Sequence, residues 1–267
     1  MRKIGILGVG FIGQTLAAAI DERRIPAELV ALSDLDHAKA EAVARRLASH
    51  PRVVPLEQLI ESSDLIVEAA SQRALPDLIP NALERARDLL IMSVGGLLGH
   101  REWFDRASEK GCRIYVPSGA IAGLDGIKAA SMGRVDSALL TSRKPVATLK
   151  ASPYVVSRGI KIHQWKKETL LFEGSAEEAA QAFPSTANVA AALRLAIDPS
   201  VPVRVRIMAV PMGRHNVHEI LVTGGFGRLS VAVENVPSAS NPRTSQLAAL
   251  SAIATLTNLT RTLHVGT

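Results

Sequence analysis

The chain has 267 residues, 47% hydrophobic and 21% charged with a formal net charge of +6, enough apolar content for one large or two modest domains with well-buried cores. Cys112 is the only cysteine, which excludes an intrachain disulfide and a thiolate metal cluster within one chain, and no metal site is expected. Lys and Arg are scattered and aromatics make up only 3%, leaving few stacking platforms for a nucleic acid, and no apolar run approaches the ~20 residues of a membrane span, so a cytoplasmic protein is expected.

The first predicted strand begins at once, leaving no room for a signal peptide. It runs into the stretch Ile4 to Gly13, Ile-Gly-Ile-Leu-Gly-Val-Gly-Phe-Ile-Gly. Gly8, Gly10 and Gly13 fit the G-x-G-x-x-G fingerprint: the first glycine makes the turn, the second lets backbone amides approach a pyrophosphate, and the third lets helix and strand pack closely. Free N–H groups and the positive dipole end of the helix then face the phosphates without a dedicated cation. The amphipathic run Gln14 to Ile20 supplies that helix, so Gly8, Gly10, Phe11, Ile12 and Gly13 form the predicted dinucleotide-binding stretch. The alternative is a plain tight turn.

Glu28 to Ser33 is a second apolar strand, and it ends in Asp34, twenty-one positions beyond Gly13 (34 − 13). A carboxylate there accepts hydrogen bonds from the adenosine ribose hydroxyls and repels a 2′-phosphate, which predicts NAD over NADP. Asp34 can instead cap the helix predicted from His37 to Ala48, with Asp36 as rival for both positions. Strands at Asp64–Ala69, Leu89–Val94 and Cys112–Val116 alternate with helices at Leu75–Arg87 and Glu102–Lys110. That alternation implies right-handed βαβ crossovers and a doubly wound parallel sheet of Rossmann type over 1–117. Ligands lie beyond the C-terminal strand ends, which brings Ala69, Ala70, Ser71, Ser93, Val94 and Gly95 toward the cofactor crevice.

Pro117 to Gly123, rich in small residues, reads as the domain crossing, followed by a helix from Leu124 to Met132. Beyond it, Val135–Ser142 and Val203–Val210 read as strands, Ala176–Ala182 and Asn188–Ala196 as helices. The basic patch Lys161 to Lys167, with His163 and Trp165, reads as solvated surface. Ile220–Val222 and Leu229–Val233 flank a turn at Gly224, Gly225 and Gly227, so 118–240 is expected to be an α+β catalytic and oligomerisation domain on a mixed or antiparallel sheet. Asn241, as cap, and Pro242 then begin a final helix through about Leu263, and the stretch 241–267 is expected to pack back on the first domain.

A nicotinamide domain supplies a hydride carrier, so the second domain must supply substrate binding and proton transfer. In an extended segment His218 shares a side with Asn216 and opposes Glu219, so His218 and Asn216 can converge on one ligand. His215, three positions away, falls on the other face, against a two-histidine metal site; a hydrogen-bonded structural role is the alternative for His218. No G-x-S-x-G elbow is present, which argues against a serine hydrolase.

The glycine fingerprint is joined by Pro117-Ser118-Gly119-Ala120-Ile121-Ala122-Gly123, Ser185-Thr186-Ala187-Asn188-Val189-Ala190, Asn216-Val217-His218-Glu219-Ile220 and Asn241-Pro242-Arg243-Thr244-Ser245. Together, in order and over nearly the whole chain, these resemble L-aspartate dehydrogenase. The resemblance implies oxidative deamination of L-aspartate with NAD, or NADP, through iminoaspartate to oxaloacetate and ammonia, with a link to NAD biosynthesis in part of the family. It further implies that Ala122 and Asn188 contact the cofactor, that His218 is catalytic, and that the protein is a homodimer or higher homo-oligomer. Imine hydrolysis calls for a base of near-neutral pKa, which suits a histidine. Arg243, Thr244 and Ser245 are candidates to hold the substrate carboxylates. The rival readings are another two-domain reductase, related to dihydrodipicolinate reductase or homoserine dehydrogenase, and a non-catalytic NAD-binding regulator. The paired-histidine and lysine signature of dihydrodipicolinate reductase is not found near the middle of the chain.

Overall fold

A computed structural model describes residues 1–184, 187–236 and 245–266. It divides into two compact units, one of Met1–Pro117 with Ala248–His264, the other of Ser118–Leu247 with Val265–Thr267.

In the first unit β1 (Arg2–Leu7), α1 (Phe11–Asp21), β2 (Ala27–Ser33), α2 (His37–Ala44), β3 (Arg52–Val53), α3 (Leu56–Ser62), β4 (Leu65–Glu68), α4 (Leu75–Glu84), β5 (Asp88–Ile91), α5 (Arg101–Glu109) and β6 (Ile114–Tyr115) follow one another. The six strands form one sheet in the order β3-β2-β1-β4-β5-β6, and every pairing is parallel. This is the doubly wound arrangement that the strand and helix alternation predicts. Its strands are covered on both faces, so they read as continuous apolar runs: all four residues of β4, Leu-Ile-Val-Glu, are buried. Ile4, Ile6, Leu16, Leu29, Leu32 and Leu65 share one core with Ala252 and Leu256 of the last helix, α11 (Gln246–Asn258). Asn241 and Pro242, the predicted start of that helix, lie outside the described residues.

The second unit contains α6 (Leu124–Ala130), β7 (Val135–Pro145), α7 (Val146–Leu149), α8 (Pro153–Ser157), β8 (Thr169–Ser175), α9 (Ala176–Ala182), α10 (Asn188–Ala196), β9 (Val203–Val210), β10 (Asn216–Gly224) and β11 (Gly227–Asn235). The sheet order is β11-β10-β7-β9-β8. Only β7 and β9 run parallel among these pairs, so the sheet is mixed. A two-residue loop, Gly225-Phe226, joins β10 to β11, with Gly224 opposite Gly227. One face of the sheet is buried: Ala138, Leu140, Ser142 and Lys144 of β7 alternate with more exposed neighbours, and Val203, Val205, Ile207 and Ala209 do the same on β9. On the outer face Arg204 and Arg206 both pair with Glu173 at 3.1 Å.

The sequence reading contains no counterpart of β3, α3, α7 or α8, and three further departures stand out. β7 runs to Pro145 rather than ending at Ser142, because its ladder with β9 continues through Arg143↔Met208 and Lys144↔Ala209. β8 was not anticipated; its backbone is held by antiparallel pairing with β9 and its end by a capping box in which Ser175 and Glu178 satisfy one another's amides. α2 stops at Ala44, four residues short of the expected Ala48.

Candidate active site

The glycine turn of the first unit is fixed by close backbone approach. Gly8 has φ +94°, and a Cβ there would lie 2.6 Å from the carbonyl carbon of Ala69 and the amide nitrogen of Ala70. At Gly13 a Cβ would lie 1.9 Å from the Gly8 carbonyl oxygen. A Cβ on Gly10, by contrast, would meet nothing within 4 Å, so the turn is open on the side where the first N–H groups of α1 emerge. No side chain caps that helix end. Bare amides, a positive dipole end and open space over Gly10 together fit a pyrophosphate.

Asp34 holds this turn in place. Its Oδ2 accepts from the Val9 N–H at 2.7 Å and its Oδ1 from the Asp36 N–H at 2.9 Å, while the Gly8 N–H donates to the Ser33 carbonyl at 2.7 Å. Asp36, not Asp34, caps α2, accepting from the Lys39 N–H at 3.0 Å. Asp34 is half-buried, and each of its oxygens retains a lone pair for a ribose hydroxyl.

Behind the turn sits a residue the sequence reading passed over. Glu68 is fully buried at the end of β4, and its carboxylate accepts from the Ala70 N–H at 2.8 Å and from the Ser93 N–H and hydroxyl, both at 2.9 Å. Burial pushes its pKa up against the pull of these donors. It ties the ends of β4 and β5 together and sets the Ala69–Ala70 backbone against Gly8. An acidic residue closing the apolar run Leu-Ile-Val was its only sequence signal.

The second unit gathers its polar side chains at one end of the buried sheet face. His218 of β10 lies directly opposite Ser142 of β7, and Ser142 Oγ is 2.9 Å from His218 Nδ1. His218 is 3% exposed and Lys144, two residues beyond Ser142 on the same face, is 5% exposed. Asn216 is also buried there, opposite Asn235 of β11, and its Oδ1 has no hydrogen-bond partner among the described residues. Asn235 donates to the Ala120 carbonyl at 2.9 Å and accepts from the Ser245 hydroxyl, anchoring the small-residue segment that leads to Ala122. Ala122 is exposed, and Asn188 is the first residue of α10.

Charge and burial act together on this cluster. The His218 pKa is lowered to about 3, first by burial and then by the charge of Lys144. The near-neutral base expected from sequence is therefore a neutral imidazole throughout the neutral range; the difference comes from a desolvation that the sequence does not display. Burial alone lowers Lys144 to about 8. The effect is one-sided because His218 is already neutral when Lys144 gives up its proton, whereas Lys144 is charged when His218 titrates.

His215 does not join the cluster. It lies toward solvent with Nδ1 2.5 Å from Glu234 Oε1. Of the proposed carboxylate partners, Ser245 is buried against Asn235, while Arg243 and Thr244 lie outside the described residues. His163 is exposed, and no helix among the described residues is long and apolar enough to cross a membrane.

Two family models together match most of the chain. Residues 125–259 match the family described as "Aspartate dehydrogenase, C-terminal", and residues 8–117 match "Homoserine dehydrogenase, NAD binding domain". The L-aspartate dehydrogenase of Methanosarcina barkeri is 45% identical over 100% of both chains. That of Bradyrhizobium diazoefficiens is 40% identical over 99% of this chain and 94% of its own. The crystal structure of aspartate dehydrogenase from Thermotoga maritima superposes with a TM-score of 0.76 at 25% identity, covering 100% of each chain. With a glycine turn shaped for a dinucleotide in one unit, a buried histidine in the other, and full-length identity of this order, the chain belongs to the L-aspartate dehydrogenase family.

Proposed function

We propose that this protein catalyses the NAD(P)-dependent oxidative deamination of L-aspartate, with His218 as the acid–base residue. The observation that carries the reading is His218 itself: buried, neutral, and bonded through Nδ1 to Ser142, so that Nε2 is the nitrogen left to exchange a proton. The bound nicotinamide supplies the hydride acceptor for the substrate Cα. The chain's own residues do the rest. The open turn over Gly10, with Phe11, Ile12 and Gly13 opening α1, receives the pyrophosphate, and Asp34 receives the adenosine ribose. Ala122 and Asn188 are assigned to the cofactor by the family resemblance. Loss of hydride from the Cα of L-aspartate, with its amine unprotonated, leaves protonated iminoaspartate; water adds to its Cα as His218 accepts one water proton, and the neutral carbinolamine so formed collapses to ammonia and oxaloacetate. An arriving substrate brings two carboxylates, whose negative charge raises the proton affinity of His218 and turns a weak base into a useful one.

The first unit is accordingly the dinucleotide-binding domain and the second the substrate domain. A homodimer or higher homo-oligomer and a link to NAD biosynthesis are supported by the resemblance, and a cytoplasmic setting by the sequence composition; light scattering on the purified protein reads the first of these. The decisive assay follows NADH formation with L-aspartate against a panel of other amino and hydroxy acids, and NADH consumption with oxaloacetate and ammonium. L-Aspartate is expected to be preferred over L-alanine by at least tenfold in kcat/KM, because a buried polar partner left unpaired costs ~1–3 kcal/mol. Equal rates on both, or tight NAD binding without turnover, would overturn the reading.

A further inference from the structure

Buried cations are rarely left alone, because an ammonium removed from water needs an anion or it gives up its proton. Lys144 has no ion pair or hydrogen bond among the described residues. Its neighbour in sequence shows the contrast: Arg143 points to the opposite face and is held by Glu168 at 2.8 Å and Glu219 at 2.6 Å. On the inner face, β9 presents Ile207 and Ala209 beside Ser142 and Lys144, and β10 presents His218 and Asn216. None of these supplies an anion. The same patch holds a second unmet need, the buried acceptor Asn216 Oδ1. One group wants a negative charge and the other wants a donor: Asn216 stands two residues from His218 along β10, and Lys144 two residues along β7 from Ser142, the residue opposite His218.

An α-amino acid supplies both groups at once. We propose that Lys144 is the cation that binds a carboxylate of the substrate, with Asn216 Oδ1 accepting a hydrogen bond from its amino group. This rests on the reading that the protein acts on L-aspartate, and it adds the residues that recognise it. Lys144 therefore serves twice: its charge holds the substrate, and the same charge adds to the burial that keeps His218 in the neutral form able to accept a proton. Its placement also explains why the patch is polar at all. A core position on a sheet face otherwise lined by Leu140, Val205 and Ile220 is filled by an apolar residue unless a ligand requires otherwise.

The test compares Lys144→Met, which keeps the length of the side chain and removes its charge, with Lys144→Arg, which keeps the charge. Binding of succinate, a dicarboxylate without an amine, is read by calorimetry, alongside KM for L-aspartate, affinity for NAD and the melting temperature. Lys144→Met is expected to raise KM and weaken succinate binding by about 30-fold or more, the loss that follows removal of one partner of a buried charge pair. Its NAD affinity should be unchanged, and its melting temperature equal to or above that of the wild type. Lys144→Arg should retain most of the succinate affinity. Should Lys144→Met fail to fold, Lys144→Gln carries the same comparison, with binding kept in the Arg variant and lost in the Gln variant. Equal binding of succinate by charged and uncharged variants overturns the role of Lys144 while leaving the activity standing. A wild-type protein that binds NAD but does not oxidise L-aspartate overturns the functional reading instead, and its succinate affinity still decides the lysine.

Discussion

His218 is kept neutral by the same burial that makes it costly to charge. With a pKa lowered from 6.5 to about 3, the folded state disfavours the protonated ring. Above about pH 6.5, where the ring is neutral whether folded or unfolded, this costs nothing, and stability falls as the pH drops from there toward 3. Replacing the residue should flatten that acid limb: the melting temperature of His218→Ala should vary less between pH 6.5 and 4 than that of the wild type. In kinetics, His218→Ala should lose ~10²–10⁴-fold in kcat and keep its NAD affinity. A variant that melts normally and turns over aspartate at the wild-type rate would remove His218 from the mechanism. Lys144 stands on the other side of the ledger, since depression from 10.5 to about 8 corresponds to roughly 3 kcal/mol of burial cost carried at neutral pH. Asp34 anchors the Val9 amide and is the residue proposed to receive the ribose. Asp34→Ser should raise KM for NAD and shift the NAD to NADP ratio of kcat/KM toward NADP; a wild-type preference for NADP would contradict the assignment.

Among the elements, β4 shows how one carboxylate organises a crevice. Glu68 receives three donors, from Ala70 and Ser93, at 2.8 to 2.9 Å. Glutamine in its place presents an NH₂ group to N–H groups and leaves at least one buried donor unmet. Glu68→Gln is therefore expected to destabilise the protein by ~1–3 kcal/mol, seen as a lower melting temperature, and to weaken NAD binding as the Ala69–Ala70 backbone relaxes away from Gly8. Five strands of the first sheet are legible because burial on both faces writes itself as unbroken apolar runs, whereas the two-residue β3 is too short to do so; the glycine turn is legible because its spacing answers to backbone contacts. Asn216 and His218 were placed on one face by period-two alternation alone. Lys144 was not legible. It sits in Thr-Ser-Arg-Lys, which carries no apolar alternation, and only the ladder to β9 shows that the strand continues and turns the lysine inward. β8 escaped for a related reason: its sequence Thr-Leu-Leu-Phe-Glu-Gly-Ser does not alternate, and a long-range pairing with β9 decides its structure.

For the molecule as a whole, the order of elements along the chain differs from their grouping in space. The first unit takes in Met1–Pro117 and then Ala248–His264, so a complete second unit is written between its two parts. Ala252 and Leu256 of α11 are fully buried in the core built by β1, β2 and α1. During synthesis the N-terminal sheet thus emerges long before the helix that covers it, and its apolar surface waits for the last part of the chain. Domains that are contiguous in sequence can finish folding as they leave the ribosome. This one cannot. Nascent chains arrested before α11 should expose the apolar surface around Leu16 and Leu32 to chaperones and proteases, while the second unit, all but continuous from Ser118 to Leu247, can close without that helix. A protein arranged in this way can complete its second unit before its first, and synthesis that stops short of α11 leaves the glycine turn in an unfinished unit.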